Sequence, residues 1–152
     1  KRIIDELLRL NVKINYITDG DIAGVLSVIG QKPLNDIYYS TGGAPEGVLA
    51  AVAMRCLGGD FQGRMSWRND EEIERARDMG FSEADLTRIW SCEEIASGDV
   101  LFCATGVTGG PMLPGVDFFG GGATSHSLVL RSRTGTIRRI ETIHDFTRRP
   151  LE

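Results

Sequence analysis

Glycine constrains this chain more than any other residue, by its amount and by where it falls. It makes up 19 of 152 residues, nearly twice the usual share of about 7%. The glycines gather where apolar segments end. Ile14-Asn15-Tyr16-Ile17 runs into Thr18-Asp19-Gly20-Asp21, and Ile37-Tyr38-Tyr39 runs into Thr41-Gly42-Gly43. Val100-Leu101-Phe102-Cys103-Ala104 runs into a stretch from Gly106 to Gly122 that holds seven of the nineteen, with Pro111 and Pro114. Short apolar runs closed by glycine and followed by helix signals read as strands turning into helices. The expected class is therefore α/β, a layered α/β sandwich whose final hairpin makes the sheet mixed.

The elements follow from local pattern. Ile3, Ile4, Leu7 and Leu8 share one helical stripe, and Asn11 stops that helix. Val12, Ile14 and Tyr16 alternate with polar residues as a strand does, and Asp36 to Ser40 reads as a second strand. Between them, Ile22 to Ile29 is a helix-like apolar run. Pro45 to Leu57 is a helix with proline suited to its first turn and Gly58-Gly59 closing it. Phe61 to Trp67 reads as a strand. Asn69 caps a helix running through Met79, its acids at the positive end, and Gly80 stops it. Ser82 begins another short helix toward Trp90. Val100 to Ala104 is a continuous apolar run and so a buried strand. Ser125 to Arg131 and Thr136 to Ile143 form a hairpin around Arg133-Thr134-Gly135. No repeat or clean linker divides the chain.

Composition narrows the function. Lys plus Arg is 17 against 21 Asp plus Glu, a net charge of −4, which argues against bulk binding to nucleic acid or anionic membrane. The longest apolar stretch, Val48 to Met54, is too short to span a bilayer. The Lys1-Arg2-Ile3-Ile4 opening lacks the apolar core of a signal peptide, so a cytoplasmic location is expected. Leu151-Glu152 is compatible with a vector-derived tail. Cys56, Cys92 and Cys103 match no zinc spacing, and with two histidines a soft-metal site is not expected. Reduced thiols are, with Cys56 in the core.

Three stretches carry chemistry. Asp19-Gly20-Asp21 stands where a strand meets a helix, the usual ligand crevice of α/β sheets. Its carboxylates accept hydrogen bonds from sugar hydroxyls or hold a divalent cation through oxygen; equally, they serve as a helix cap and a favourable charge at a helix end. In Thr41-Gly42-Gly43-Ala44-Pro45-Glu46-Gly47, glycines before a helix let backbone N–H groups approach an anion such as phosphate. Glu46 conflicts with that phosphate unless Mg²⁺ or Mn²⁺ bridges the two; the alternative is that Glu46 only complements the helix dipole. Neither a Walker A loop nor a GxGxxG fingerprint is present. Thr105 to Gly110 offers hydroxyls and backbone donors but no acid or base. Arg131, Arg133, Arg138 and Arg139 read as an outward-facing solvated or subunit-contact surface, and His126 as a structural partner.

Taken together, these segments resemble the bacterial class II fructose-1,6-bisphosphatases. The resemblance rests on Ile17-Thr18-Asp19-Gly20-Asp21, Gly42-Gly43-Ala44-Pro45-Glu46-Gly47-Val48 and Ala53-Met54-Arg55-Cys56-Leu57-Gly58-Gly59. It continues in Phe102-Cys103-Ala104-Thr105-Gly106-Val107-Thr108, Phe118-Phe119, Gly121-Gly122-Ala123, His126-Ser127-Leu128-Val129 and Thr136-Ile137-Arg138-Arg139-Ile140. It implies a lobe like that of the lithium-sensitive sugar phosphatases, covering about the C-terminal half of a family member. The implied activity is hydrolysis of the 1-phosphate of fructose 1,6-bisphosphate, a gluconeogenic step, with Mn²⁺ or Mg²⁺; some members also act on sedoheptulose 1,7-bisphosphate. By the same resemblance Asp19, Gly20, Asp21 and the backbone of Gly43 contact substrate, and Glu46 ligates metal. The family's remaining metal carboxylates, its threonine beside the metals and its Tyr and Arg substrate contacts belong to the N-terminal half and have no counterpart here. The chain alone is thus expected to be inactive, no catalytic residue being expected within it, and the parent a homo-oligomer. The alternative is a stand-alone sugar-phosphate-binding or assembly module without catalysis.

Overall fold

A computed structural model describes residues 2–17, 20–29, 32–110 and 112–148. The chain starts with helix α1 (Arg2–Arg9), which Asn11 ends in a left-handed turn at φ 56°. Helices α2 (Asp21–Leu26) and α3 (Ala44–Leu57) follow, then the two-residue strand β1 (Gln62–Gly63) and helix α4 (Asp70–Asp78). Strand β2 (Trp90–Ser91) and helix α5 (Cys92–Ile95) lead to β3 (Leu101–Thr105), β4 (Asp117–Phe119), β5 (Gly122–Arg131) and β6 (Thr136–Asp145).

Helix α3 is the middle layer. Its first turns are exposed, but from Ala50 on it is largely buried, and its small residues let neighbours pack on two faces. Ala50, Ala51 and Met54 meet Val25 of α2 and Cys92 and Ala96 at α5. Ala53 and Cys56 meet Phe102 of β3, Leu113, and Leu128 and Leu130 of β5. The helix ends at Gly58, whose φ of 74° completes the cap.

In the sheet, β5 is the long central strand. One edge of it pairs with β3 and β4 and the other with β6 over its whole length, Leu130 opposite both Phe102 and Ile137. Every described pairing is antiparallel, so the parallel part of the expected mixed sheet is not among them. The short β4–β5 and β5–β6 connections dictate two of these pairings, because parallel neighbours need long crossovers.

Other expectations are corrected as well. Residues 12–16 and 36–40 are extended but join no described ladder. Tyr16 and Ile37 stand 69% and 84% exposed while Ile14 and Tyr38 are half-buried, and no described strand pairs with either segment. The run from Ile22 is helical only to Leu26, and of the stretch from Phe61 to Trp67 only Gln62 and Gly63 pair. Ser82 to Trp90 forms turns rather than a helix. The Ser82 hydroxyl and the Asp85 carboxylate close the first turn, but Trp90 is drawn into extended backbone by pairing with Gly63. Strand β3 is buried on one face only, Phe102 inward and Leu101 and Cys103 outward, because α3 covers one side of the sheet. The Asn69 cap, the Gly80 stop and the Gly135 turn are as read. Leu151-Glu152 lies outside the described residues.

Candidate functional site

The site begins at two helix starts. Gly20 precedes α2 in the left-handed region, φ 84°, a conformation that glycine adopts without cost. Asp21 follows as the first residue of α2. Its Oδ1 accepts two hydrogen bonds, from the Tyr38 hydroxyl at 2.7 Å and the Ser40 hydroxyl at 3.1 Å. Its Oδ2 faces Gly42, where a Cβ would stand 2.6 Å from it. Gly43 is the N-cap of α3, extended at φ −69° and ψ 151°, with no side chain to cap the helix. Glu46 curls back over it, and a Cβ on Gly43 would collide with Glu46 Oε2. The two carboxylates thus lie against neighbouring glycines. Each sits in the first turn of its helix, where the partial positive charge of the helix end favours an acid.

Of the residues expected from sequence, the structure therefore brings together Asp21, Gly43 and Glu46, with Gly20 beside them; Asp19 lies outside the described residues. The structure adds a steric reason for glycine at 42 and 43. Each leaves room for a carboxylate, in addition to any approach to a ligand. Tyr38, Ser40 and Gly24 were missed. A Cβ on the buried Gly24 would enter the Tyr38 ring, so that ring lies across α2 one turn beyond Asp21. The available signals were the i, i+3 spacing of Asp21 and Gly24 and the i, i+2 spacing of Tyr38 and Ser40. Burial, then the neighbouring Asp21, pushes the Tyr38 phenol above its ordinary value.

The remaining candidates fall away from these residues. Thr105 to Gly110 begins a loop that folds on itself. Val116 N–H donates to Val107 O, and a Cβ on Gly115 would press 2.6 Å from Gly109 N. His126 faces Glu141 across the hairpin at 3.9 Å. Arg131, Arg133, Arg138 and Arg139 are all exposed, as expected. Arg139 lines an apolar trough of about 760 Å³ with Ile137, Leu128 and Leu130, whereas Arg138 alternates to the opposite side. Neither Asp21 nor Glu46 lines that trough. All three cysteines are free, and burial raises the Cys56 and Cys92 thiols, as in inert core positions.

Comparison with known proteins decides the family. Residues 1–144 match the family described as bacterial fructose-1,6-bisphosphatase, glpX-encoded. The chain belongs to this family. Among curated relatives of this fructose-1,6-bisphosphatase family, one from Synechococcus sp. (strain JA-3-3Ab) is named D-fructose 1,6-bisphosphatase class 2/sedoheptulose 1,7-bisphosphatase. It is 39% identical over 157 residues, covering 93% of this chain and 44% of the relative. A relative of the same name from Microcystis aeruginosa (strain NIES-843 / IAM M-2473) is 37% identical over 161 residues, 97% of this chain and 46% of the relative. The chain thus spans under half the length of these fructose-1,6-bisphosphatase family members. Among its described residues no group of three or more His, Cys, Asp or Glu side chains is arranged to hold a metal ion, and no helix is long and apolar enough to cross a membrane.

Proposed function

We propose that this chain is the C-terminal lobe of a divalent-metal-dependent fructose-1,6-bisphosphate 1-phosphatase, carrying the sugar-binding turn and one metal ligand. The observation that carries the reading is the meeting of Asp21, Gly42-Gly43 and Glu46 at two helix starts, in a chain of the bisphosphatase family. Asp21 Oδ2 is an acceptor suited to a sugar hydroxyl, and Asp19 brings a second carboxylate two positions earlier in the sequence. The main chain at Gly43, without a Cβ, lets a sugar phosphate come close to the start of α3. Glu46 is a hard oxygen donor on an exposed turn, which fits one ligand position of Mg²⁺ or Mn²⁺. When bound, such a cation supplies a water of lowered pKa and neutralises charge on the phosphoryl group being released.

One carboxylate does not retain Mg²⁺, an ion that relies on several oxygens. The other metal ligands then belong to the length that the relatives have beyond this chain, and the isolated chain is inactive. The test is phosphate release from fructose 1,6-bisphosphate with and without Mn²⁺, by the 152-residue chain and by an intact enzyme carrying it. The expected outcome is release by the intact enzyme only, lost or severely reduced in Glu46→Ala with a raised Mn²⁺ requirement. Metal-dependent release by the chain alone, or a Glu46→Ala enzyme with unchanged metal dependence, would overturn the reading.

A further inference from the structure

We propose that Tyr38 and Ser40 are positioning residues that hold the Asp21 carboxylate in one rotamer for the sugar, with Gly24 providing the seat for the Tyr38 ring. The inference rests on the reading of Asp21 as a sugar contact.

A surface aspartate at a helix start ordinarily samples several rotamers, so an acceptor that must meet a sugar hydroxyl needs to be held. Here both hydroxyls, from Tyr38 and Ser40, converge on the same oxygen, Oδ1, at 2.7 and 3.1 Å. Hydrogen bonds to a charged acceptor are the stronger kind. Binding one oxygen twice leaves Oδ2 without either hydroxyl, lying over Gly42. The seat is specific too. A glycine inside a helix is disfavoured relative to alanine, yet Gly24 stands in the short α2 and is buried. The Tyr38 ring occupies the space that a Cβ would take. Ile17 presses on the same point, its Cδ1 2.7 Å from that Cβ position. The ring therefore has a defined place on α2, and its hydroxyl is delivered one turn back to Asp21.

The test is a double-mutant cycle in the intact enzyme, reading KM and kcat for fructose 1,6-bisphosphate. Tyr38→Phe keeps the ring on Gly24 and removes only the hydroxyl; Ser40→Ala, at an exposed position, cannot endanger folding. Each is expected to raise KM by about three- to tenfold, the range that corresponds to one lost hydrogen bond, with kcat within about twofold. Asp21→Ala is expected to raise KM further, and Tyr38→Phe to add nothing in that background. If Asp21→Ala raises KM but Tyr38→Phe and Ser40→Ala do not, or if Tyr38→Phe acts equally with and without Asp21, the positioning role is overturned while the sugar contact stands. If Asp21→Ala leaves KM unchanged, the sugar contact itself fails and the inference goes with it.

Discussion

At the scale of single residues, the site depends on what is missing from its glycines. Gly42 has no positive φ, so its backbone alone does not explain the residue. The space it leaves is filled by Asp21 Oδ2, 2.6 Å from where a Cβ would be. Gly42→Ala is accordingly expected to push the Asp21 carboxylate out of its place beneath Tyr38 and Ser40. KM for the sugar bisphosphate should rise while the melting temperature changes little, since the backbone tolerates alanine. A kinetic titration beside a thermal melt checks this, and an unchanged KM would show that the carboxylate has room to spare. The sequence makes the glycine pair visible and supplies a plausible role in approaching an anion. It does not reveal the partner carboxylate, because Asp21 and Gly42 are far apart in the chain and only folding makes them neighbours.

At the scale of elements, local signals are honoured where the partner is a few residues away. Asn69 accepts from the Glu72 amide at 3.0 Å, and Ser91 and Glu94 form a reciprocal capping box. Asn69→Ala is expected to cost about 1 kcal/mol, measurable by denaturant unfolding. These caps also set an acid limit. Hydrogen bonds from the Arg68 amide hold the Glu72 carboxyl below its ordinary 4.5, and those from the Ser91 amide do the same for Glu94. The Ser82 hydroxyl lowers Asp85 from its ordinary 3.8. A folded-state value below the unfolded one means that stabilisation is complete above the ordinary value and is lost as pH falls through the folded one. The segment from α4 to α5 should thus loosen below about pH 4. Carboxyl NMR titration should place the Glu94 midpoint below 4.5; a midpoint at or above it would mean the cap is not formed in solution. Strands fare worse than helices in sequence reading for the same physical reason. Residues 12–16 have the alternation of a strand and residues 36–40 its apolar content, but a strand requires a neighbour's backbone, which neither pattern supplies.

At the scale of the molecule, the chain exposes more surface than its mass calls for. Its accessible area is 11525 Å², against about 7,600 Å² for a compact monomer of this size. The excess is apolar in good part. Tyr16, Ile17, Ile37 and Tyr39 stand exposed on the extended segments, Phe118 on β4 and Ile143 on β6. The buried side is thin, about half of it alanine and cysteine, with Leu130 the largest fully buried side chain among the described residues. Protection from hydrogen exchange is expected to concentrate in α3 and β5 and to be near zero over residues 12–17 and 36–40 in the isolated chain. Those segments should become protected in an intact enzyme of the length its relatives have. Equal protection in both settings would show that these faces need no cover.

What the sequence determined by itself was whatever depends on short-range backbone chemistry: the proline-led start and glycine stop of α3, the Asn69 cap, the turn at Gly135, and the motifs that mark the bisphosphatase family. It also brought Asp21, Gly43 and Glu46 forward as candidates, because a helix start following glycine is a local feature. Tertiary structure alone decided which apolar runs became strands, which of Arg138 and Arg139 borders the trough, and which side chains hold Asp21. Each of those outcomes depends on a neighbour distant in sequence: a ladder partner, a covering helix, or a hydroxyl carried in on another segment. Pattern within one segment does not encode the surface that the segment will meet.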